Sequence, residues 1–369
     1  MIGAWWSWML GVSLQAGLLL ALVLALDLVL RRRGWIAVRV ALWSALLLRF
    51  ALPPEFGAPW SLSARVARTA ELDWSAVAAA PTSAASGWIF AAWLAGVALV
   101  LARSLRARRR LAALVESAAP APRAVELEFA ACARRMGLAR VPELRVDPAF
   151  GGPAVVVLGA RAIVVLPPSL LGDDAREERE HALLHELAHL ARRDPLAARV
   201  VEFAQAFLWF HPAAWLARRR LAELRELGAD ARVARELGER ASEYRASLLA
   251  AAERALLRPA PVGATAFVST SSLLLLRLAR LEHPIRRSPR VERAAGASAF
   301  AALALFVLPM ACELPRVAGL DPVVQRALER LQRAVDADER QNCLEVQAAA
   351  RVLQAHQMLT GEDLTARIH

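Results

Sequence analysis

Hydrophobic residues gather in four blocks along the chain, and the first three precede a long segment of mixed character. The blocks cover residues 2–30, 35–52, 87–102 and 294–312. A transmembrane helix needs about 20 predominantly apolar residues. The pattern therefore predicts four transmembrane helices. In the second one we expect Arg39 and Arg49 to extend their charged ends toward opposite membrane faces.

Arginine clusters at the ends of these blocks predict the orientation of the chain. They lie at residues 31–33, 103–110 and 286–293. Basic segments next to a span stay in the cytoplasm, so the N-terminus is expected outside. A cleaved signal peptide is disfavoured for the first block, because its positive charges follow the apolar run. We expect Asp27, near the end of that block, to pair with Arg31 one helical turn later.

This orientation divides the chain into four parts. Residues 1–106 hold three spans and an extracytoplasmic loop at 53–86, and residues 107–293 form a cytoplasmic domain. The fourth span follows at 294–312, and residues 313–369 form a short extracytoplasmic helical tail. The prediction is a multi-pass protein of the inner membrane.

Composition supports the membrane prediction and argues against nucleic acid as a partner. The chain is 57% hydrophobic with a formal net charge of +11, and it contains no lysine. A basic chain can bind nucleic acid, but here the arginines cluster at the ends of the apolar blocks. We therefore expect contact with a lipid bilayer and no direct contact with nucleic acid. The three cysteines form no CxxC pair, so they predict neither a disulfide framework nor a cysteine zinc site.

The cytoplasmic segment changes from strand-like to helical character. Short β-branched runs predict strands at 143–146, 154–158 and 162–166, with glycines and prolines between or after them. Residues 173–256 have a helical pattern, and Asp173 or Asp174 is expected to cap its first helix. The predicted fold is a mainly α membrane protein with an α+β cytoplasmic domain. The second or third strand is either a buried strand or an exposed edge that accepts an extended substrate.

The segment His185-Glu186-Leu187-Ala188-His189 carries the predicted chemistry. Positions i and i+4 lie on one face of a helix, so both imidazoles can reach one zinc ion. Glu186 is rotated away from that line and can take a proton from a water molecule beside the metal. The alternative is a solvated helix face. The preceding strands and the carboxylates that follow favour a zinc-peptidase site, with Glu186 as the catalytic base.

A catalytic zinc site needs a third protein ligand, and several residues qualify. The candidates are Glu202, His211, Glu223, Glu226 and Asp230. We select Glu226, because Asp230 lies one helical turn later and can accept the N–H of a ligating histidine. This pair is the arrangement of Glu-ligand zinc peptidases (gluzincins). The alternative for Glu226 is a surface salt bridge with a nearby arginine.

Four further polar residues have alternative interpretations. His211 precedes Pro212 and is explained as a helix cap, although it is the main rival as third ligand. Asp194 is most simply an N-cap, and it can also order Arg192 or Arg193. His181 is expected to be structural. Tyr244 can donate to the oxyanion of a tetrahedral intermediate, but a packing role is favoured.

The combined motifs resemble the BlaR/MecR-type membrane zinc peptidases, over about residues 1–310. The segments that carry this resemblance are Gly152-Pro153, Leu166-Pro167, Leu184–His189, Arg192–Asp194, Trp209–Pro212, Trp215–Arg218, Glu226–Asp230, and Tyr244 before Leu248-Leu249. The resemblance implies that an extracytoplasmic signal activates a cytoplasmic zinc peptidase, after which a BlaI-like transcriptional repressor is lost. By motif, His185, His189 and Glu226 hold Zn²⁺ and Glu186 is the base.

Two departures from the family pattern limit what the resemblance implies. Ala229 stands where the family usually has a cysteine that is not a ligand. The antibiotic sensors also carry a penicillin-binding domain with a Ser-x-x-Lys nucleophile. A chain without lysine lacks that motif, and residues 313–369 are too few for that domain. β-Lactam sensing by acylation of this chain is therefore excluded.

The sequence thus predicts a membrane-embedded zinc endopeptidase that cuts a cytoplasmic protein, a transcriptional repressor in the first instance, in response to an envelope signal. Two alternatives stay open: a quality-control zinc peptidase of membrane proteins, and a non-enzymatic sensor or scaffold. Retention of Glu186 beside both histidines argues against the scaffold, because metal binding alone does not need it. A homo-oligomer is also left open.

Overall fold

A computed structural model describes residues 2–52, 85–257, 271–282 and 288–309. These residues are mainly helical and include one small sheet. The helices are α1 (Ile2–Arg33), α2 (Ile36–Ala51), α3 (Ala85–Ser117), α4 (Arg123–Arg135), α5 (Arg176–Ala191), α6 (Asp194–Phe207), α7 (Pro212–Leu237), α8 (Ala241–Leu257), α9 (Ser271–Glu282) and α10 (Pro289–Ala302). The strands are β1 (Ala119–Pro120), β2 (Glu143–Val146), β3 (Ala154–Leu158) and β4 (Arg161–Leu166).

Among the residues that the structure describes, two helices are long and apolar enough to cross a membrane. The qualifying segments are Gly11–Arg33 of α1 and Gly87–Ser117 of α3. The helices at the other two predicted spans are shorter: α2 has 16 residues and α10 has 14, followed by a π-helical turn at Leu303–Val307. The four-span arrangement therefore stays a prediction. Most of the predicted loop, residues 53–84, and the predicted tail lie outside the described residues.

The charged residues of α1 and α2 are paired inside the protein, in contrast to two of the predictions. Asp27 does not pair with Arg31: it accepts from Arg39 Nε at 2.7 Å and from Trp43 Nε1 at 3.1 Å. Arg39 and Arg49 do not extend toward membrane faces, because both are buried. Arg49 donates to the Leu52 carbonyl and to Gln15 Oε1. The cause is the antiparallel packing of the two helices, which brings polar groups of α1 to both ends of α2.

The long helix α7 joins two hydrophobic cores. Its first half contributes buried residues from Ala213 to Leu224 to a core shared with α1 and α2. Its second half contributes Ala229, Val233 and Leu237 to a core shared with α4, α5 and the sheet. Because a helix is a stiff element, α7 fixes the position of the second core relative to the α1–α2 pair.

The sheet has the strand order β1-β2-β4-β3. The strands β2 and β4 are parallel. The pairs β3–β4 and β1–β2 are antiparallel. The predictions for β2 and β3 match the structure, β4 begins one residue earlier than predicted, and the two-residue β1 was not predicted. Of the two strands considered as an exposed edge, β3 lies at the edge and β4 is internal, with Ile163–Leu166 buried.

The helix α5 begins without the predicted aspartate cap. Its N-cap position is Ala175, and no side chain caps it. A tight backbone turn replaces the cap, with Ala175 N–H donating to the Gly172 carbonyl at 3.2 Å and Arg176 N–H to the Asp173 carbonyl at 3.2 Å. Glu177 and Glu178 occupy the first turn, where negative charge suits the helix dipole.

Gly296 lets α10 lie directly against the start of α2. A Cβ atom at this position would lie 2.8 Å from the Cβ atom of Ala37 and 3.1 Å from its backbone carbonyl atoms. One turn earlier, the Glu292 carboxylate accepts from the backbone N–H groups of Ile36 at 3.0 Å and Ala37 at 3.4 Å. The two helices are thus joined by close packing and by hydrogen bonds at the same place.

We expect Gly296→Ala to lower the thermal unfolding midpoint of the detergent-solubilised protein, because overpacking of this kind costs about 1–3 kcal/mol. The control is Gly17→Ala in α1, where a Cβ atom meets nothing within 4 Å. Alanine favours a helix over glycine, so the control midpoint should stay the same or rise. Equal midpoints for the two variants would contradict the close α2–α10 contact.

Candidate active site

The helix α5 presents His185 and His189 on one face, as the i, i+4 spacing requires. The two Nε2 atoms lie 3.3 Å apart. The apolar residues next to His185 on the same helix are buried in the core: Leu183, Leu184, Leu187 and Ala188. They fix the rotation of α5, so that both histidines face the neighbouring helix α7 rather than solvent.

Glu226 of α7 completes a three-residue group with the two histidines. Its Oε2 lies 3.4 Å from His185 Nε2, and its Oε1 lies 3.7 Å from His189 Nε2. One donor atom from each residue lies within 4.8 Å of the others. Tetrahedral zinc with bonds of about 2.0–2.2 Å places its ligand atoms roughly 3.3–3.6 Å from one another. The chemistry and spacing of the three donors therefore fit a zinc ion.

The second nitrogen of His185 is held by a buried hydroxyl and a buried carboxylate. His185 Nδ1 lies 2.9 Å from the Tyr244 hydroxyl, which donates to Asp230 Oδ1 at 2.6 Å. Asp230 Oδ1 is also 3.3 Å from His185 Nδ1. A hydroxyl that donates to Asp230 accepts from Nδ1–H, so the lone pair of Nε2 is left to face Glu226. This contact favours an orienting role for Tyr244 over the oxyanion role.

Asp194 holds the second histidine, a role that the sequence analysis did not assign. Its Oδ2 lies 2.8 Å from His189 Nδ1 and accepts from Arg192 Nε at 3.1 Å. The N-cap prediction for Asp194 is wrong, because α6 begins at Asp194 itself and the cap position is Arg193, with a left-handed φ of 60°. That turn brings the carboxylate back to α5. The expected ordering of Arg192 is observed.

Arg277 of α9 is the other residue that the sequence analysis missed. It is buried and binds Asp230 through two hydrogen bonds, Nε to Oδ2 at 2.7 Å and Nη2 to Oδ1 at 2.8 Å. Its Nη1 lies 3.4 Å from Glu226 Oε2. The only signal in the sequence is a single arginine within the apolar run Leu273–Leu278, which indicates a buried charge with a partner.

Burial and charge act against each other throughout this group. Burial lowers the pKa of His185, but hydrogen bonds to Asp230 and Glu226 outweigh it and raise the pKa to about 10. Burial opposes the charge of Glu226, yet its contacts with His185 bring the pKa to about 2. Arg277 and His185 likewise overcome burial and hold the pKa of Asp230 below its usual range. The ionised carboxylates favour positive charge at the histidines, as a proton or as a divalent cation.

Glu186 lines a cavity of about 870 Å³ on the same side as the two histidines. Burial raises the pKa of its carboxyl group, against the opposing effect of the histidines. A general base works best with a pKa near the working pH, so the shift suits proton transfer. The cavity is also lined by Val155–Leu158 of the edge strand β3. Arg199 donates to the Val157 carbonyl on this strand.

The two remaining histidines considered in the sequence lie in structural positions. His211 accepts from the Ala213 N–H at 3.2 Å as the N-cap of α7, and its ring lies 4.7 Å from that of Phe50. His181 Nδ1 lies 2.8 Å from Ser247 Oγ, and the side chain is buried. His181 also lies within ligand distance of the exposed Glu177 and Glu243. Neither histidine belongs to the group of His185, His189 and Glu226.

Comparison with known proteins identifies a family for most of the chain. A family model described as BlaR1 peptidase M56 matches residues 7–281. This range includes most of α1, the elements from α2 to α8, and the site residues up to Arg277. No curated protein matches the chain.

We expect Asp194→Asn to weaken zinc binding about tenfold to a hundredfold, as is typical when a histidine ligand loses its charged partner. The affinity is measured by competition with a chromophoric chelator. The control is Glu202→Gln, which removes an exposed carboxylate from the same helix, paired with Arg108 at the surface. An unchanged zinc affinity in Asp194→Asn would contradict the assigned role of its contact with His189.

Proposed function

The chain belongs to the BlaR1 peptidase M56 family, and on this premise we propose that it is a membrane-embedded zinc endopeptidase. The family implies a membrane-associated metallopeptidase. The observation that carries the finer proposal is the convergence of His185, His189 and Glu226 beside a cavity lined by Glu186. Soluble and membrane zinc peptidases need these parts: two imidazoles, a third ligand, and a carboxylate that is not a ligand.

In this proposal His185, His189 and Glu226 hold the zinc ion. When bound there, zinc would supply a Lewis acid for the scissile carbonyl and would acidify the attacking water. Tyr244 and Asp194 orient the imidazoles through their Nδ1 atoms, at 2.9 Å and 2.8 Å. Arg277 balances the charge of Asp230 and lies beside Glu226, so it limits the negative charge of the whole group.

Glu186 moves the proton. Its carboxylate takes a proton from the attacking water and later delivers it to the nitrogen of the leaving amine. A raised pKa makes the carboxylate a stronger base for the first step, and a pKa near the working pH still allows the carboxyl group to release the proton in the second. Burial within the cavity supplies that shift, and it also keeps bulk water from competing with the substrate.

The edge strand β3 supports an extended protein segment as the substrate. An extended chain can add to a free edge by backbone hydrogen bonds, with side chains alternating between pockets. Residues Val155–Leu158 of β3 and Glu186 line the same cavity, so a segment bound on this edge would pass the base. Arg199, which donates to the Val157 carbonyl, would have to yield that acceptor to the substrate.

We further propose that the substrate is a cytoplasmic regulator, a BlaI-like transcriptional repressor in the first instance, and that an envelope signal controls its cleavage. The four-span topology with residues 107–293 in the cytoplasm is part of this proposal. The helix α7 supports it, since its first half packs with α1 and α2 and its second half carries Glu226. A movement of the membrane helices would therefore reach a zinc ligand through one stiff helix.

The catalytic base is tested by Glu186→Gln. We expect this variant to bind zinc with the affinity of the wild type and to lose proteolysis, because glutamine keeps the shape but cannot accept the proton. The matched control is Glu177→Gln, an exposed carboxylate on the same helix, which should retain cleavage. Undiminished cleavage by Glu186→Gln would refute this role.

A mass-spectrometric census of new protein N-termini, in cells with the wild type or with Glu186→Gln, tests the substrate class. New termini in one DNA-binding regulator, absent from the variant, are the expected result. Termini scattered over many membrane proteins would instead identify a quality-control peptidase. No difference between the cells under envelope stress would support a non-enzymatic sensor.

The third ligand is tested by comparing Glu226→Ala with His211→Ala. We expect Glu226→Ala to reduce the zinc content of the purified protein, because it removes one of three protein donors. His211→Ala should keep its zinc, since His211 caps α7. The opposite pattern, with full zinc in Glu226→Ala and loss in His211→Ala, would show that the third ligand is misassigned.

A further inference from the structure

A second cavity, of about 940 Å³, lies on the other side of α7 from the zinc group. It is an open cavity lined by α2, by the C-terminal half of α7 and by α10. The zinc peptidase activity proposed above makes no use of this cavity. Its walls divide into a strongly basic part and an apolar part.

Four arginines contribute to the basic part: Arg192, Arg232, Arg235 and Arg293. Two acidic residues also line the cavity and offset part of this positive charge. The Glu292 carboxylate accepts from the backbone of Ile36 and Ala37, and the Glu236 carboxylate accepts from Arg135 at 3.1 Å. The guanidinium groups therefore face the cavity with an excess of positive charge.

The arginines oppose one another electrostatically. Burial and the nearby charges of Arg235 and Arg192 lower the pKa of Arg232. Burial also lowers the pKa of Arg235; Glu292 opposes this shift, and Arg192 and Arg293 add to it. Among the described residues, the side chain of Arg235 has no hydrogen-bond partner, so its donors are available. A cluster of guanidinium groups with this geometry is stabilised by a bound anion, and a phosphate group suits it best.

The apolar part of the cavity follows α2 and α10. Ile36, Val40 and Ala41 line it on one side, and Ala297 and Phe300 line it on the other. Gly296 keeps these two helices close at the base of the groove. An inorganic anion would leave this apolar wall uncovered, whereas a ligand with hydrocarbon chains would cover it.

The cavity lies at the N-terminal ends of α2 and α10, which begin at Ile36 and Pro289. Both helices directly follow arginine clusters, at residues 31–33 and 286–287. In the topology proposed above, on which this step rests, these ends meet the cytoplasmic leaflet. Anionic lipid headgroups lie at that depth, and basic pockets between membrane helices bind them.

We propose that this cavity binds an anionic phospholipid of the cytoplasmic leaflet. The phosphate group contacts Arg232 and Arg235, and the hydrocarbon chains run along the groove between α2 and α10. A zwitterionic lipid has the same chains but carries a compensating positive charge, which the arginines repel. The site therefore selects lipids by headgroup charge.

The lipid site shares one residue with the surroundings of the zinc group. Arg192 lines the cavity and donates to Asp194, the residue that holds His189. Its guanidinium also lies in the space that a Cβ atom would fill at Gly228. The absence of a side chain at position 228 thus allows the Arg192 guanidinium to lie directly against the motif that contains Glu226 and Asp230.

The proposal is tested by calorimetric titration of the delipidated, detergent-solubilised full chain with dihexanoyl phosphatidylglycerol. Parallel titrations use dihexanoyl phosphatidylcholine and inorganic phosphate. We expect clear binding of phosphatidylglycerol, with both other probes at least tenfold weaker. Phosphatidylcholine binding as tight as phosphatidylglycerol would overturn the recognition of charge. Inorganic phosphate binding as tight as the lipid would overturn the lipid assignment in favour of a plain anion site.

The matched variants are Arg232→Gln/Arg235→Gln in the cavity and Arg109→Gln/Arg110→Gln on α3. Both double variants lose two positive charges, and the second pair is exposed and outside the cavity. We expect the cavity variant to bind phosphatidylglycerol about tenfold or more weakly, from the contribution of each basic residue to lipid attraction, and the α3 variant to bind as the wild type does. Equal affinities for the two variants would refute the site.

Two further measurements keep the result interpretable. Arg232 donates to the Met136 carbonyl, so its loss can disturb folding. Arg235→Gln alone leaves that contact intact and should still weaken binding several-fold, and wild-type affinity in a folded Arg235→Gln protein would count against the proposal.

The titration is repeated on Glu186→Gln, which should bind the lipid normally. Failure of lipid binding would therefore not contradict the proposed peptidase function. Loss of proteolysis would not contradict the lipid site.

Discussion

The site depends on the contacts that the buried carboxylate of Asp230 makes with its neighbours. It lies on α7 and accepts from Tyr244 of α8 and from Arg277 of α9, and it approaches His185 of α5. Four helices thus meet at one charge. Loss of one partner of a buried ion pair costs about 3–5 kcal/mol, so these helices are held in one arrangement. That arrangement turns Nε2 of His185 toward Glu226 and away from the protein interior.

The helix α7 extends this constraint toward α1 and α2. Its second half positions Glu226 and Asp230, while its first half packs into the core of α1 and α2. The basic cavity beside the second half brings Arg192, and through it Asp194 and His189, close to the N-terminal ends of α2 and α10. His189 is therefore linked through Asp194 and Arg192 to a cavity beside α2 and α10, whereas His185 faces two carboxylates carried by α7. In this way the group of His185, His189 and Glu226 is connected to α1, α2 and α10 through named contacts.

The sequence predicted the local parts of the site and missed the long-range ones. Helical periodicity was enough to place His185 and His189 on one face, and the four-residue spacing of Glu226 and Asp230 indicated a ligand and its partner. Arg277 was missed because it lies 47 residues from Asp230 along the chain, and no periodic pattern links two residues at that distance. Asp194 was misread as a cap because the left-handed turn at Arg193 could not be foreseen. The pairing of Asp27 with Arg39 instead of Arg31 has the same origin, since it depends on how α1 packs against α2.

Zinc K-edge X-ray absorption on the purified full chain would test the proposed metal site, because it reports the atoms that surround the metal. We expect about one zinc ion per chain, with two imidazole nitrogens at about 2.0 Å, oxygen donors, and no sulfur. The imidazole signal should be lost when His185 and His189 are replaced. A sulfur ligand, or an unchanged spectrum in that double variant, would contradict the site built from His185, His189 and Glu226.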